Sequence, residues 1–234
     1  MSADYDENYS RRRPYTRRSR RRRPGWLILA ALALVFATGL LCGLRMDSFA
    51  LPERLAGLFG PRSNVPENIA LPDFIEEDLL SENPYSRPGL PLSRVNDIVI
   101  HYVGNPGTSA AQNRSYFQGL AESGATYASS NLIVGLEGEC LLTVPLDEVA
   151  YCSNSRNEDS VSIEFCHPDD SGAPTEATYD SLVRLTAWLL ELYGLDESHI
   201  IRHYDISGKE CPRYFVQNEA AWAQFCADVG AQLG

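Results

Sequence analysis

The chain contains four histidines, His101, His167, His199 and His203, and six cysteines, Cys42, Cys140, Cys152, Cys166, Cys211 and Cys226. His101 lies at the end of the apolar run Ile98-Val99-Ile100-His101-Tyr102, and elements of a rigid scaffold commonly present functional groups where they run out into loops. His203 is followed eight positions later by Cys211, across Tyr204-Asp205-Ile206-Ser207-Gly208-Lys209-Glu210. A histidine and a cysteine joined by a glycine-containing loop can converge on one ion, and a distant His101 would complete a His₂Cys set. Three protein ligands leave the fourth position of a tetrahedral ion open, which is the arrangement of a catalytic rather than a structural zinc. Spacing alone leaves an ordinary structural role open for each of the three.

The other cysteines suggest no second cluster. No two are spaced C-x-x-C, so neither a redox motif nor a zinc knuckle is indicated. The five beyond Cys42 cannot all pair, and whether Cys140 and Cys152 do is left open. Cys140, Cys166 and Cys226 read as small buried hydrophobes.

The elements that must hold these groups follow from periodicity. Ile98–Tyr102 is a short apolar run typical of a buried strand, and Val161-Ser162-Ile163-Glu164-Phe165 reads as another strand. Ser130–Val134 and Cys140–Val144 flank Gly135 and Gly138, a hairpin signature. Residues 111–122 read as a helix closed by Gly124. Tyr179, Leu182, Val183, Thr186, Leu189, Leu190 and Tyr193 repeat at helical spacing before Gly194. Ile200-Ile201 starts a short segment into a loop, and Trp222, Phe225, Cys226 and Val229 form a last amphipathic face. This order predicts an α/β domain, a mixed central sheet flanked by helices.

Composition divides the 234 residues further. The formal net charge is −11, yet nine arginines and only three acidic residues occupy the first 23 positions, leaving a net of −17 for the remainder. Trp26–Leu44 carries no charge, and at about 1.5 Å per residue its length nearly spans a hydrocarbon core of about 30 Å. Arginines on the N-terminal flank orient such a helix with its N-terminus in the cytoplasm. The expected organisation is a basic cytoplasmic tail (1–24), one transmembrane anchor (25–44), a Pro-rich stalk (45–90) and an extracytoplasmic domain (91–234). Within the stalk, the short amphipathic pieces FALPERLAGLFG and LPDFIEEDLL are able to pack on the domain or the membrane surface. A cleaved signal peptide has a shorter apolar core, although Ser48-Phe49-Ala50 resembles a cleavage site. The arginine tail also admits a twin-arginine export signal, and Cys42 lacks the small preceding residue of a lipid-attachment site. An acidic domain argues against nucleic acid as a partner, and against long-range attraction to an anionic polymer.

The segments VNDIVIHYVGNPGTSA, ASSNLIVGLEGECLLTVPLDEVAY, DSVSIEFCHPDDSG, TYDSLVRLTAWLLELYGL and IIRHYDISGKECPRYF, in this order, resemble the zinc-dependent N-acetylmuramoyl-L-alanine amidases, the family shared with phage T7 lysozyme and the peptidoglycan-recognition proteins. The likeness covers roughly residues 92–226. It implies a T7-lysozyme-like fold and hydrolysis of the amide between N-acetylmuramic acid and L-alanine, with peptidoglycan or a muropeptide as substrate. It assigns Zn²⁺ to His101, His203 and Cys211, stabilisation of the transition state to Lys209, and the general base to Glu164. Two positions depart from the family. Ser130 stands where the phage relative has a catalytic tyrosine, and Asn131 where histidine is common; Asn131 is expected to orient groups around the metal. His167 is read as an alternate ligand or substrate contact, and His199 as structural. The rival functions are a non-catalytic peptidoglycan sensor, which commonly lacks the cysteine ligand, and a zinc peptidase acting on stem peptides.

Overall fold

The computed structural model describes residues 63–234. The expected tail, the anchor at 25–44 and the start of the stalk lie outside the described residues. Among those described, no helix is long and apolar enough to cross a membrane.

Six strands form one sheet: β1 (Ile75–Glu77), β2 (Asp97–Tyr102), β3 (Leu132–Val134), β4 (Cys140–Leu142), β5 (Ser160–Phe165) and β6 (Ile200–Arg202). Their spatial order is β1-β4-β3-β5-β2-β6. Only β3 and β4 pair antiparallel, as the expected hairpin; the other neighbours are parallel. β5, between β3 and β2, is buried at every position although Ser160, Ser162 and Glu164 alternate with Val161, Ile163 and Phe165.

Each face has its own core. Ile98, Ile100, Val161, Ile163 and Phe165 pack with Leu182, Leu185 and Leu189 of α2 (Glu176–Tyr193) and with Phe225 and Val229 of α5 (Glu219–Gly230). Val103, Ile133, Leu141 and Cys166 pack instead with Ala110, Phe117 and Leu120 of α1 (Ala110–Ser123). The helix ends are written locally. Ser109 and Gln112 form a reciprocal capping box at the start of α1, and Thr175 caps α2, satisfying amide groups that a helix leaves unpaired. Gly124 and Gly194 end these helices in the left-handed conformation. Gly138 turns the hairpin at φ 83°, where a Cβ would lie 2.7 Å from the Ala177 carbonyl oxygen of α2.

Two expectations change. The stalk does not run to residue 90: Ile75–Glu77 pairs with β4, and Leu80 is buried. The amide of Asn64 donates to the carbonyls of Val95 (2.8 Å) and Tyr193 (2.9 Å). Proline excludes long helices, but it does not exclude a short edge strand between prolines, and Ile75 and Leu80 bury apolar area on opposite faces of the sheet. The loop expected after Ile201 holds two short helices, α3 (His203–Ser207) and α4 (Arg213–Gln217). Gly208 in the left-handed region and Pro212 limit them to about a turn each.

Candidate metal centre

Sheet register builds the first part of the centre. Ile100 lies opposite Ile163, and His101 opposite Glu164, on parallel β2 and β5. Side chains alternate between faces along a strand. Because Ile100 and Ile163 belong to the α2–α5 core, His101 and Glu164 share the other face. On its other side β2 pairs with β6 up to Ile100 opposite Arg202, so the next position brings His101 level with His203, the first residue of α3. Their ring centroids are 4.7 Å apart.

The chain after β6 returns to deliver the thiol. The Arg202 guanidinium donates to Asp205 (3.0 Å), the Phe215 carbonyl (3.1 Å) and Glu219 (2.8 Å), which fastens α3 to the helices that follow. The Tyr204 amide donates to the Cys211 carbonyl at 2.9 Å, folding the loop through Gly208 back on itself. Cys211, joined to Pro212 by a cis peptide bond, then places Sγ 3.8 Å from Nδ1 of His101. One ligand atom from each of His101, His203 and Cys211 lies within 4.8 Å of the others. All three residues are buried.

Charge in this cluster is governed by burial. Desolvation, followed by the neighbouring His203 and Lys209, holds the His101 imidazole well below its ordinary pKa, so it is neutral and offers a lone pair. Burial, aided by Glu164, pushes the Cys211 thiol up to about 12, against opposing contributions from the Tyr102 amide and Lys209. A bare thiolate here is costly, whereas a divalent cation deprotonates a coordinating thiol outright. The donor set fits zinc in chemistry and in span. Zn–N of about 2.0–2.1 Å and Zn–S of about 2.3 Å in a tetrahedron separate nitrogen from sulfur by about 3.6 Å, close to the 3.8 Å between Cys211 Sγ and His101 Nδ1.

The two further candidates are beside this cluster. Glu164 is buried; its Oε1 accepts from Cys152 Sγ at 3.6 Å, and the buried Oε2 makes no hydrogen bond. Carboxylate, thiol and imidazole of Glu164, Cys152 and His101 form a second trio of potential ligands within 4.8 Å. Burial and then Glu164 hold the Cys152 thiol well above its ordinary pKa. Lys209 is half-buried on the α3–Cys211 loop, close enough to lower the pKa values of His101, Cys211 and Cys152. Sequence reasoning missed Cys152, and with it Ser153 and Asn154. Ser153 Oγ lies 3.2 Å from Nε2 of His101, and Asn154 Nδ2 lies 3.0 Å from Nε2 of His203. A polar loop with no periodicity carried no signal for them.

The remaining polar candidates are committed elsewhere. Asn131 does not orient the metal ligands: its Nδ2 donates to the carbonyls of Pro145 and Glu148, each at 3.1 Å, and its Oδ1 accepts from the amide (3.1 Å) and hydroxyl (3.2 Å) of Ser162. It ties β5 to the 145–148 loop. Ser130 is buried and donates to backbone carbonyls of Leu132 (2.9 Å) and Ser162 (3.1 Å). Both ring nitrogens of His167 contact carbonyls, Asp169 at 2.7 Å and Val103 at 2.8 Å, so it is a loop tie and not an alternate ligand. His199 contacts Asp97 at 3.3 Å, at the start of β2, in keeping with a structural role. All five described cysteines are free thiols, so Cys140 and Cys152 are not paired.

A family model described as N-acetylmuramoyl-L-alanine amidase matches residues 91–214, more than half of the chain and every residue of the cluster. The chain belongs to the N-acetylmuramoyl-L-alanine amidase family. Members similar to it include a probable N-acetylmuramoyl-L-alanine amidase of Bacillus licheniformis, 35% identical over 164 residues, covering 65% of this chain and 46% of the relative. The N-acetylmuramoyl-L-alanine amidase BlyA of Bacillus subtilis (strain 168) is 33% identical over 175 residues, covering 64% and 45%. The chain thus spans about half the length of the curated amidases it matches. Among solved structures, the catalytic domain of XlyA superposes with a TM-score of 0.57 at 25% identity, covering 67% of this chain and 99% of that one. PlyL, at 20% identity and a TM-score of 0.58, shares the fold.

Proposed function

We propose that this chain is a membrane-anchored zinc amidase that hydrolyses the bond between the lactyl group of N-acetylmuramic acid and the L-alanine of the stem peptide. The observation that carries the reading is the convergence of His101, His203 and Cys211 beside Glu164 within the segment matched by the amidase family. His101, His203 and Cys211 would hold the ion. Zinc, when bound, lowers the pKa of a coordinated water toward about 7 and polarises a carbonyl.

The chain's own groups supply the rest of the chemistry. With a divalent cation held there, two neutral imidazoles and one thiolate would leave the cluster with a net positive charge, suited to a substrate carbonyl whose oxygen gains negative charge. Lys209, near enough to lower the pKa values of His101 and Cys211, adds a second cation beside the cluster, and preorganised charge at a developing oxyanion is often the largest single contribution to catalysis. Glu164 accepts a proton from the attacking water as the C–O bond forms, then returns one to the alanine nitrogen as the C–N bond breaks. The carbonyl carbon ends as a lactyl carboxylate and the nitrogen as a free amine, so no redox partner is needed.

The anchor at 25–44 rests on the uncharged Trp26–Leu44 run and the arginines before it. It makes the protein single-pass with its catalytic domain outside the membrane, and cutting is confined to wall within reach of the tether. The chain segment between the anchor and residue 63 is the tether in this reading. With a net charge of −17 beyond the arginine tail, capture of an acidic polymer depends on short-range contacts around the metal. Incubation of purified sacculi with the chain tests the activity: new alanine amino termini in step with loss of turbidity are expected, and unchanged sacculi that retain bound protein would instead indicate a sensor. Protease treatment of intact cells tests the anchor. Removal of the domain with the first residues protected is expected, and a shortened, freely released product would contradict it.

A further inference from the structure

Two consecutive residues of one loop touch the outer nitrogens of two different histidines. Ser153 Oγ is 3.2 Å from Nε2 of His101, and the Asn154 amide is 3.0 Å from Nε2 of His203. On His101 the opposite nitrogen, Nδ1, is the one 3.8 Å from Cys211 Sγ. From this geometry we infer that Ser153 and Asn154 are positioning residues which fix the ring orientation and tautomer of both histidines so that each offers Nδ1 to the ion. This rests on the zinc reading above.

The chemistry follows from the imidazole. A neutral ring that gives its Nδ1 lone pair to a cation carries its proton on Nε2 and needs an acceptor there. The Ser153 hydroxyl has two lone pairs to meet it. The Asn154 carboxamide has a donor end and an acceptor end, interchanged by a half-turn about χ2. Its Nδ2 serves a ring whose Nε2 carries the lone pair, as the described contact has it; its Oδ1 serves a ring protonated at Nε2. One side chain therefore matches His203 both without and with an ion.

The loop is built to hold these two side chains in place. Asn157 Oδ1 accepts from the amides of Ser153 (2.6 Å) and Cys152 (3.2 Å), and the Arg156 amide donates to the Ser153 carbonyl at 2.9 Å. The Arg156 guanidinium clamps onto Asp97 of β2 and onto Asp159 (2.7 Å), so the loop is tied to the strand that carries His101. Asn154 itself sits at φ 51°, the one non-glycine residue with positive φ among those described. Asparagine tolerates that region better than most residues, and unusual backbone held in place by its surroundings clusters at functional sites.

The test is zinc affinity of the full-length chain, stripped of metal and titrated with zinc against a chromophoric chelator. Ser153→Ala and Asn154→Gly are each expected to weaken zinc binding roughly 10- to 100-fold, the usual effect of losing such a partner. Glycine keeps the left-handed backbone accessible and removes only the amide, so Asn154→Gly is expected to leave the metal-free melting temperature unchanged while shrinking the rise on adding zinc. Asn154→Asp retains an acceptor and is expected to recover most of the affinity. Binding of zinc by Ser153→Ala and Asn154→Gly as tight as by the unaltered chain would overturn the inference. So would a metal-free melting temperature that falls as far as the zinc-bound one. Failure of the unaltered chain to take up zinc is a different result, and it would remove the metal reading itself.

Discussion

Sγ of Cys211 stands 3.8 Å from Nδ1 of His101 although the two residues are 110 positions apart. Neither residue reaches the other through local structure. His101 is fixed by the pairing of β2 with β5, and Cys211 by the fold-back of the loop after β6. Parallel pairing of β2 with β6 brings the two together, so the centre exists only when the sheet is complete.

Cys211→Ser is expected to remove the anionic ligand with little change of volume. Serine is a harder and, at neutral pH, uncharged donor, so zinc retained after dialysis should fall from about one equivalent to a small fraction. Elemental analysis with circular dichroism checks this: folded protein with its full zinc content would show that Cys211 is not a ligand.

Glu164→Gln keeps shape and burial but cannot accept a proton. A fall in kcat of about 10²- to 10⁴-fold is expected, the usual contribution of a general base, at unchanged zinc content. Turnover within a few-fold of the unaltered chain would move the proton-transfer role to another group. Loss of zinc would instead assign Glu164 to the second trio of ligands with His101 and Cys152.

The cluster of His101, His203 and Cys211 was legible in the sequence because a histidine near the end of an apolar strand and a His-to-Cys loop spacing are local patterns, and the family resemblance joined them. The strands and long helices were legible for the same reason: the apolar run of β2, the polar–apolar alternation of β5 and the period of α2 are strong. For β1 the amphipathic character of LPDFIEEDLL was legible but the strand was not, because its three residues carry no period and their pairing with β4 is set by a partner more than sixty positions away. Asn131 was misread because it stands where the family commonly has histidine, whereas its amide goes to Pro145, Glu148 and Ser162. Ser153 and Asn154 act through loop geometry, which composition does not encode.

Arg87→Ala tests whether the segment before residue 91 is part of the folded domain. Arg87 grips Glu148 through two hydrogen bonds of 2.9 Å each and reaches the Leu80 carbonyl at 2.8 Å, and both charged side chains are mostly buried. Hydrogen bonds to charged groups contribute about 1.5–3 kcal/mol, so a loss of about 2 kcal/mol is expected, read from the urea midpoint at constant m-value. An unchanged midpoint would mean that the Arg87 contacts with Glu148 and Leu80 add nothing to stability.

Tyr179→Phe tests the seam between α2 and α5. The Tyr179 hydroxyl donates to Asp228 at 2.6 Å, and this bond, followed by that from Gln224, holds the Asp228 carboxyl below its ordinary pKa. A lowered folded-state pKa gives a contribution that is present above the unfolded value of about 3.9 and is lost as pH falls through the folded value. In Tyr179→Phe the Asp228 pKa should rise by NMR titration. The stability gap from the unaltered chain should be larger at pH 6 than at pH 3. A gap independent of pH would show that the hydroxyl contributes by packing alone.

The most direct test of the central claim is to digest purified muropeptides with the zinc-loaded chain and identify the fragments by mass spectrometry. Free stem peptide with an L-alanine amino terminus, together with glycan that keeps its lactyl group, is the predicted result, abolished by chelation and restored by zinc. Shortened peptides still attached to the glycan would contradict it in favour of a peptidase, and intact muropeptides bound to the chain would contradict it in favour of a sensor.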